Sequence, residues 1–235
     1  MSRGFQQVLP NLYQLPVGGT SVFLVVEETI TVVDAGWRSS GRRVVEFLQY
    51  LGRSPEEIAY IVSTHYHTDH IGGVAHIKEL SGGRVAVHQA EVPFVQGHPE
   101  ARLPNPFHNT VLGLLMTPLL SLAQPKPFAV DLPLQDGDRL SPLGGMEIVH
   151  TPGHTPGSIS LYFPDHGLVI AGDALQFKRR RLEPPSPLVS HDMAQARESI
   201  RKLARLEFEV LCFSHYPPIH SGAARSLRQF ADTLG

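Results

Sequence analysis

Residues 58–73 read IAYIVSTHYHTDHIGG. Ile58 to Val62 is an apolar run of strand length, and Ser63 to His70, which follows directly, carries three histidines and an aspartate. The reading is a short buried strand that delivers four metal-ligating side chains, His65, His67, Asp69 and His70, to its carboxyl end. Gly72 and Gly73 stand just behind them and let the backbone turn tightly. On extended backbone, residues two apart face the same way. His65 and His67 can therefore share one ion, while Asp69 and His70 face a second. Imidazole and carboxylate without thiolate suit zinc, with iron or manganese as other cations that such ligands accept. The sequence has 13 histidines among 235 residues, about twice what ordinary residue usage gives.

The flanking sequence alternates strand and helix patterns. Ser21 to Val26 and Thr29 to Val33 are apolar runs separated by Glu27-Glu28, a predicted hairpin. Gly41 to Leu51 places Val44, Val45, Phe47, Leu48 and Leu51 at helical spacing, with Ser39 or Ser40 as N-cap and Gly52 past the end. A helix from the Gly72-Gly73 pair to Leu80 and a strand from Arg84 to His88 complete a strand–helix–strand unit with the 58–62 run, which implies a parallel pair. Later strands are predicted near 146–150, 158–163, 168–171 and 208–213, with helices at 192–205 and at the end of the chain. Between them, residues 93–130 are rich in proline around the apolar piece Val111 to Leu122, and we read this as an inserted lid or loop region. No linker divides the rest, so one domain over 1–235 is expected.

Three more residues repeat the device of a ligand at a strand end. His154 sits in TPGHTPGS (151–158), a loop stiffened by two prolines that leaves little ordering entropy to lose on binding a cation. Asp173 follows the apolar run before Ala171-Gly172, and a carboxylate there can bridge two cations. His215 follows the 208–213 strand.

With these pieces in order, the sequence resembles the metallo-β-lactamase superfamily of metallohydrolases over nearly its whole length. HxHxDH at 65–70, TPGHTPGS at 151–158, AGD at 171–173, the late His215 and the early VVDAG at 32–36 carry the resemblance. It implies an α/β fold, a four-layer αβ/βα sandwich of two mixed sheets flanked by helices, with a binuclear centre at one edge. It further implies two zinc ions per chain: His65, His67 and His154 on the first, Asp69, His70 and His215 on the second, Asp173 bridging, and Asp34 orienting the ligand loops by hydrogen bonds. Such a centre holds a bridging water and lowers its pKa from near 16 toward about 7. Asp69 is the candidate catalytic residue, placed to orient that water and take its proton.

Within the family, a glyoxalase II-like or lactonase-like branch matches better than true β-lactamases. The branch of β-lactamases with HxHxDH lacks the bridging aspartate that Asp173 supplies. Glyoxalase II continues into a helical glutathione-binding domain, whereas twenty residues follow His215 here. The expected activity is hydrolysis of a small ester, thioester or lactone by a metal-bridging hydroxide. Alternatives on the same scaffold are a phosphodiesterase or RNA-processing nuclease, and a mononuclear iron enzyme resembling persulfide dioxygenases. The apolar residues Leu112, Leu114, Leu115, Met116, Leu119 and Leu120 suit either a substrate lid or packing against the sandwich or a second subunit in a homodimer. Lys178 to Arg181 is read as a solvated loop, or as an anchor for a carboxylate or phosphate.

Composition sets the outer bounds. With 42% hydrophobic and 18% charged residues the chain is globular. A net charge of −2 gives no general attraction to nucleic acid or anionic lipid, so neither is an expected partner. The single Cys212 closes neither a disulfide nor a thiolate knuckle, and the opening lacks a secretory pattern, so a cytoplasmic location is expected. The apolar stretch 110–123 contains Pro118 and falls short of the roughly 20 residues that span a bilayer.

Overall fold

In the computed structural model, residues 4–98 and 125–234 are described. Seven strands build the first sheet in the order of the chain: β1 (Gln6–Leu9), β2 (Leu12–Val17), β3 (Thr20–Val26), β4 (Ile30–Val33), β5 (Ile58–Val62), β6 (Arg84–His88) and β7 (Leu132–Leu134). The first four pair antiparallel, and β4 through β7 pair parallel. Five further strands, β8 (Arg139–Leu140), β9 (Met146–His150), β10 (Ile159–Phe163), β11 (Leu168–Ile170) and β14 (Val210–Cys212), form the second sheet in the order β14-β11-β10-β9-β8. The β14–β11 pair is parallel and the others are antiparallel.

Side-chain alternation explains why two sheets and two helical layers follow from these strands. In β3, Val22 and Leu24 join one core while Phe23 and Val25 join another. The same split puts Val85 and Val87 of β6 on one side and Ala86 on the other. Both faces of the first sheet are therefore buried, which is why its strands read as continuous apolar runs. Its outer face packs against α1 (Gly41–Tyr50) and α3 (Val74–Ser81), through Val44, Phe47, Leu48, Val74 and Ile77. Its inner face meets Met146, Ile148, Leu161, Phe163, Leu168 and Ile170 of the second sheet. The second sheet turns Val149, Val169 and Leu211 outward onto α5 (Met193–Leu203) and α6 (Ala223–Ala231). The result is helix, sheet, sheet, helix, the four-layer sandwich that the resemblance implied.

Several local expectations need correction. Ser40 does occupy the N-cap of α1, but it is itself helical and its side chain makes no capping bond. Asp192 caps α5 as a capping aspartate should, accepting from the N–H groups of Ala194 (2.8 Å) and Gln195 (3.0 Å). Lys178 to Arg181 is a hairpin rather than a loop: β12 (Gln176–Lys178) pairs with β13 (Arg181–Glu183), and Arg179 and Arg180 take φ of +49° and +63°. Positive φ at both central residues is what a two-residue turn needs to match the strand twist. All four side chains are exposed. Of the insertion at 93–130, residues 99–124 lie outside the described residues, and so do Leu112 through Leu120. Its first residues belong to α4 (Val92–Val95), where Val95 packs with Phe128 into the outer core of the first sheet. The ends of the insertion are thus packing elements. Among the described residues the remaining α-helix is the single turn α2 (Thr68–Ile71). No helix among the described residues is long and apolar enough to cross a membrane.

One histidine pair lies away from the ligand turn. His88 ends β6 and His150 ends β9, and their rings stack with centroids 4.0 Å apart at 10°. Burial, and then the neighbouring His150, push His88 down to about 4. The geometry agrees, since His88 Nδ1 accepts from the N–H of Ala90 (3.3 Å) and a proton there would abolish the cap. Between about pH 6.5 and 4 the unfolded chain holds the His88 proton and the folded chain does not. Stability therefore falls on acidification across that window, by at most about 1.4 kcal/mol per pH unit for one such group. Replacing His88 by Asn keeps an acceptor for Ala90 and removes the titration. Denaturant melts at pH 6.5 and 4.5 are expected to show a smaller drop for His88→Asn than for the parent chain, and equal drops would contradict this account.

Candidate metal centre

Five strands that point toward one edge of the sandwich are each followed by a functional side chain. Asp34 follows β4, the 63–70 turn follows β5, the 151–158 loop follows β9, Asp173 follows β11 and His215 follows β14. Main-chain bonds lock these ends to one another. Asp34 N–H donates to Val62 O (2.8 Å), Ser63 N–H to Ala86 O (3.0 Å) and Ala171 N–H to Cys212 O (2.9 Å). Ile159 N–H reaches across to Thr64 O (2.9 Å), joining the second sheet to the ligand turn of the first. Asp34 itself holds φ of +58°, a left-handed position that Asp tolerates better than most residues. In the 151–158 loop, Gly153 has φ of +123°, and a Cβ there would lie 2.2 Å from the Ala196 nitrogen of α5. Only glycine fits that approach.

All seven residues singled out as ligands come together. Nitrogens of His65, His67 and His154 form one group; Asp69, His70 and His215 form a second; His65, His70 and Asp173 form a third that overlaps both. Within each group the ligating atoms lie within 4.8 Å of one another. His67 Nδ1 is 3.0 Å from both His65 Nε2 and His154 Nε2. Tetrahedral zinc with bonds of 2.0–2.1 Å sets its nitrogen ligands about 3.3 Å apart. Asp173 spans the groups: Oδ2 is 3.5 Å from His154 Nε2 and 3.2 Å from His215 Nε2, while Oδ1 is 3.7 Å from His70 Nε2. Asp69 Oδ2 lies 3.7 Å from His70 Nε2 and 3.5 Å from His215 Nε2.

The outward-facing nitrogens settle which atoms are free to ligate. His70 Nδ1 is held by Asp34 Oδ2 (2.8 Å) and His215 Nδ1 by Gly19 O (2.8 Å). Thr64 gives its hydroxyl proton to Asp34, so its oxygen accepts from His65 Nδ1 (3.1 Å). Ser190 gives its proton to Ser186 O (2.8 Å), so its oxygen accepts from His154 Nδ1 (3.1 Å). In all four the outward Nδ1 is paired with an oxygen and Nε2 points inward, the orientation that a metal-ligating imidazole needs. His70 Nε2 is the sharpest sign, being fully buried without any hydrogen-bond partner. Burying such an atom unpaired costs about 1–3 kcal/mol, and a cation offsets that cost. The donor set fits divalent metal.

Electrostatics divides the site in two. Burial and the neighbouring imidazoles push His65 and His67 far down, and burial takes His154 to about 4 despite Asp173. These three are neutral and ready to bind. Burial also works against protonation of His70, but the carboxylates of Asp173, Asp34 and Asp69 outweigh it and raise the group to about 10. Asp173 is held well below the usual carboxylate range: burial opposes this, and His70, His215 and His154 override it.

Five contributors carry no signal in the sequence. Thr64, Ser190 and the carbonyl of Gly19 act through one hydrogen bond each on a ligand ring. Glu91 is fully buried where β6 gives way to a short turn. It accepts from the Tyr66 N–H (2.8 Å), the Gly157 N–H (2.6 Å) and the Thr155 hydroxyl (2.9 Å). His191, hydrogen-bonded to the Tyr66 hydroxyl, closes the same side. A lone Glu after a strand has no spacing that marks it.

The chain is similar to known proteins in sequence and in fold. The family model of the metallo-beta-lactamase superfamily matches residues 15–215. The chain is 31% identical to the probable metallo-hydrolase YflN of Bacillus subtilis over 219 residues, 88% of this chain and 83% of that one. It is 35% identical to a hydroxyacylglutathione hydrolase of Pseudomonas aeruginosa, over 54% of this chain and 37% of that protein. Among solved structures, a metallo-beta-lactamase family protein of Thermus thermophilus aligns with a TM-score of 0.75 at 25% identity, covering 97% of this chain and 79% of that one. BJP-1, a subclass B3 metallo-beta-lactamase of Bradyrhizobium japonicum, shares the fold with a TM-score of 0.71 at 20% identity, over 98% and 90% of the two chains.

Proposed function

The chain belongs to the metallo-beta-lactamase superfamily and is a metal-dependent hydrolase, and from that premise we propose that it carries two divalent ions, zinc in the first instance, and hydrolyses a small ester, thioester or lactone. The observation that carries this reading is the set of seven inward-facing donors in overlapping groups, with the outward ring nitrogens of His65, His70, His154 and His215 already paired with oxygen. In the proposed assignment His65, His67 and His154 hold one ion. Asp69, His70 and His215 hold the other, and Asp173 lies between. The match to hydroxyacylglutathione hydrolases supports an acyl substrate, although it spans little more than a third of those proteins.

Held by these residues, divalent metal would supply activation of a water near neutral pH and polarisation of the oxygen of the bond to be broken. The chain's own residues do the rest. Asp69, partly exposed and carried on the one-turn α2, is the catalytic residue in this reading: its carboxylate orients the attacking water and accepts its proton. Asp34 fixes the ring of His70 directly and that of His65 through Thr64, so the Nε2 atoms keep their aim as charge shifts in the reaction. No Ser or Cys nucleophile is required, and Cys212, buried in β14 with its thiol pushed up by that burial, is unsuited to be one.

Elemental analysis of the purified chain is expected to give two divalent ions per molecule. A panel of lactones, thioesters, phosphodiesters and a β-lactam, run on protein of known metal content, is expected to show turnover of a thioester or lactone. One iron per chain without any hydrolysis would overturn the reading.

A further inference from the structure

Glu91 is a buried acid whose hydrogen bonds all go to donors flanking proposed ligands. Tyr66, whose N–H meets one carboxylate oxygen, stands between His65 and His67. Thr155 and Gly157, which meet the other oxygen, stand one and three residues past His154. Each oxygen of a single carboxylate is therefore tied to a different ligand loop, and no Lys, Arg or His pairs with it among the described residues. A backbone N–H, which offers no acceptor, meets each of the two oxygens, so both positions must accept, a demand that a carboxylate meets and that an amide does not.

The loop sequence is built around this side chain. A Cβ at Gly157 would lie 2.6 Å from both Glu91 Cγ and Oε1. Gly157 has an ordinary backbone angle, so the missing side chain makes room for Glu91 and answers no conformational need. Ser158 extends the arrangement, its hydroxyl 2.7 Å from that of Thr155 and accepting from the Thr155 N–H (3.0 Å). Thr155, Gly157 and Ser158 of the 151–158 loop thus serve one carboxylate. The other half of the site hangs elsewhere: His70 from Asp34, and His215 from Gly19 O.

We infer that Glu91 is a positioning residue that sets the distance between the 65–67 turn and the His154 loop, so that one half of the site is tuned independently of the His70 and His215 half. This rests on the two-ion reading above. Its consequence is selective: disturbing Glu91 weakens one ion and spares the other.

Zinc titration of the metal-free chain by calorimetry, with elemental analysis after dialysis, tests it in the parent, Glu91→Gln and Gly157→Ala. Glutamine keeps the size but turns an amide N–H toward a donor. Alanine at 157 leaves the carboxylate and crowds it. Each variant is expected to bind one zinc as the parent does and the other about 10–100-fold more weakly. Both ions bound at parental affinity by a variant whose circular dichroism is native would overturn the inference, whatever its melting temperature. Should Glu91→Gln fail to fold, Gly157→Ala decides alone. A parent chain that binds no zinc would instead bring down the two-ion reading.

Discussion

Replacing Asp173 by alanine is expected to lower the metal content from two ions toward one and to reduce kcat/KM by about a thousandfold or more, ~4 kcal/mol of lost transition-state stabilisation. Its two oxygens face three imidazole nitrogens drawn from both halves of the site, at 3.2, 3.5 and 3.7 Å, and no neighbouring carboxylate can take over the reach to His154. Asp69 approaches His70 and His215 alone. The metal-free protein gives a second measure. Asp173, together with Asp34 and Asp69, raises the pKa of His70, which stands at about 10. In Asp173→Ala the burial of His70 is less opposed, and its titration, followed by NMR in chelator, is expected to move down. Retention of two ions with full turnover would remove Asp173 from the centre. An unmoved His70 would show that Asp34 alone sustains its charge.

The parts of this architecture that sequence makes legible share one property: they are local. Ile58 to Val62 and Ser21 to Val26 announce themselves as strands because burial on both faces demands unbroken apolar runs. The HxHxDH turn is visible because its donors lie within six residues. β1 and β2 are hidden because Gln6, Gln7, Gln14 and Pro16 break the alternation. Gln14 sits inside the fold for a reason found 199 residues away, where its amide donates to Phe213 O (3.1 Å). The arginine-rich hairpin is obscure because Arg179 and Arg180 occupy positions where Asn or Gly would be the readable signal. Glu91 is obscure for a related reason. Its partners come from two loops 89 residues apart in sequence, Tyr66 and Thr155, and nothing near Glu91 in the chain records that it meets them. Ligands cluster in sequence because one turn can present several, while the groups that aim them are supplied by whichever strand end lies adjacent.

Asp34 is where that aiming is most concentrated, and Asp34→Asn is expected to have the second large effect. The carboxylate is fully buried and takes four contacts: from the Thr64 N–H (2.8 Å), from the Thr64 hydroxyl at both oxygens (3.1 and 2.8 Å), and from His70 Nδ1 (2.8 Å). Asparagine preserves the size and accepts φ of +58° nearly as well as aspartate, so backbone strain is not what the substitution probes. It removes the charge and turns an amide N–H toward a donor on one side. Breaking a buried, charge-assisted pair in this way costs about 3–5 kcal/mol, and the chain is expected to lose a comparable part of its stability in denaturant melts at pH 7. The sign with pH follows from His70. Its folded pKa of about 10 exceeds the unfolded value near 6.5, so in the metal-free chain the stability it contributes is complete below about pH 6.5 and fades as pH rises toward 10. Asp34→Asn removes part of that excess, so the gap between variant and parent should be widest at pH 6 and narrow by pH 10. With metal present the expected loss is about 10–100-fold in affinity, the usual consequence of freeing a ligand ring from its partner. The loss should fall on His70 first, and on His65 through Thr64, whose hydroxyl would then be free to turn away. A variant with parental stability at pH 6 and unchanged zinc affinity would show that packing alone fixes these rings.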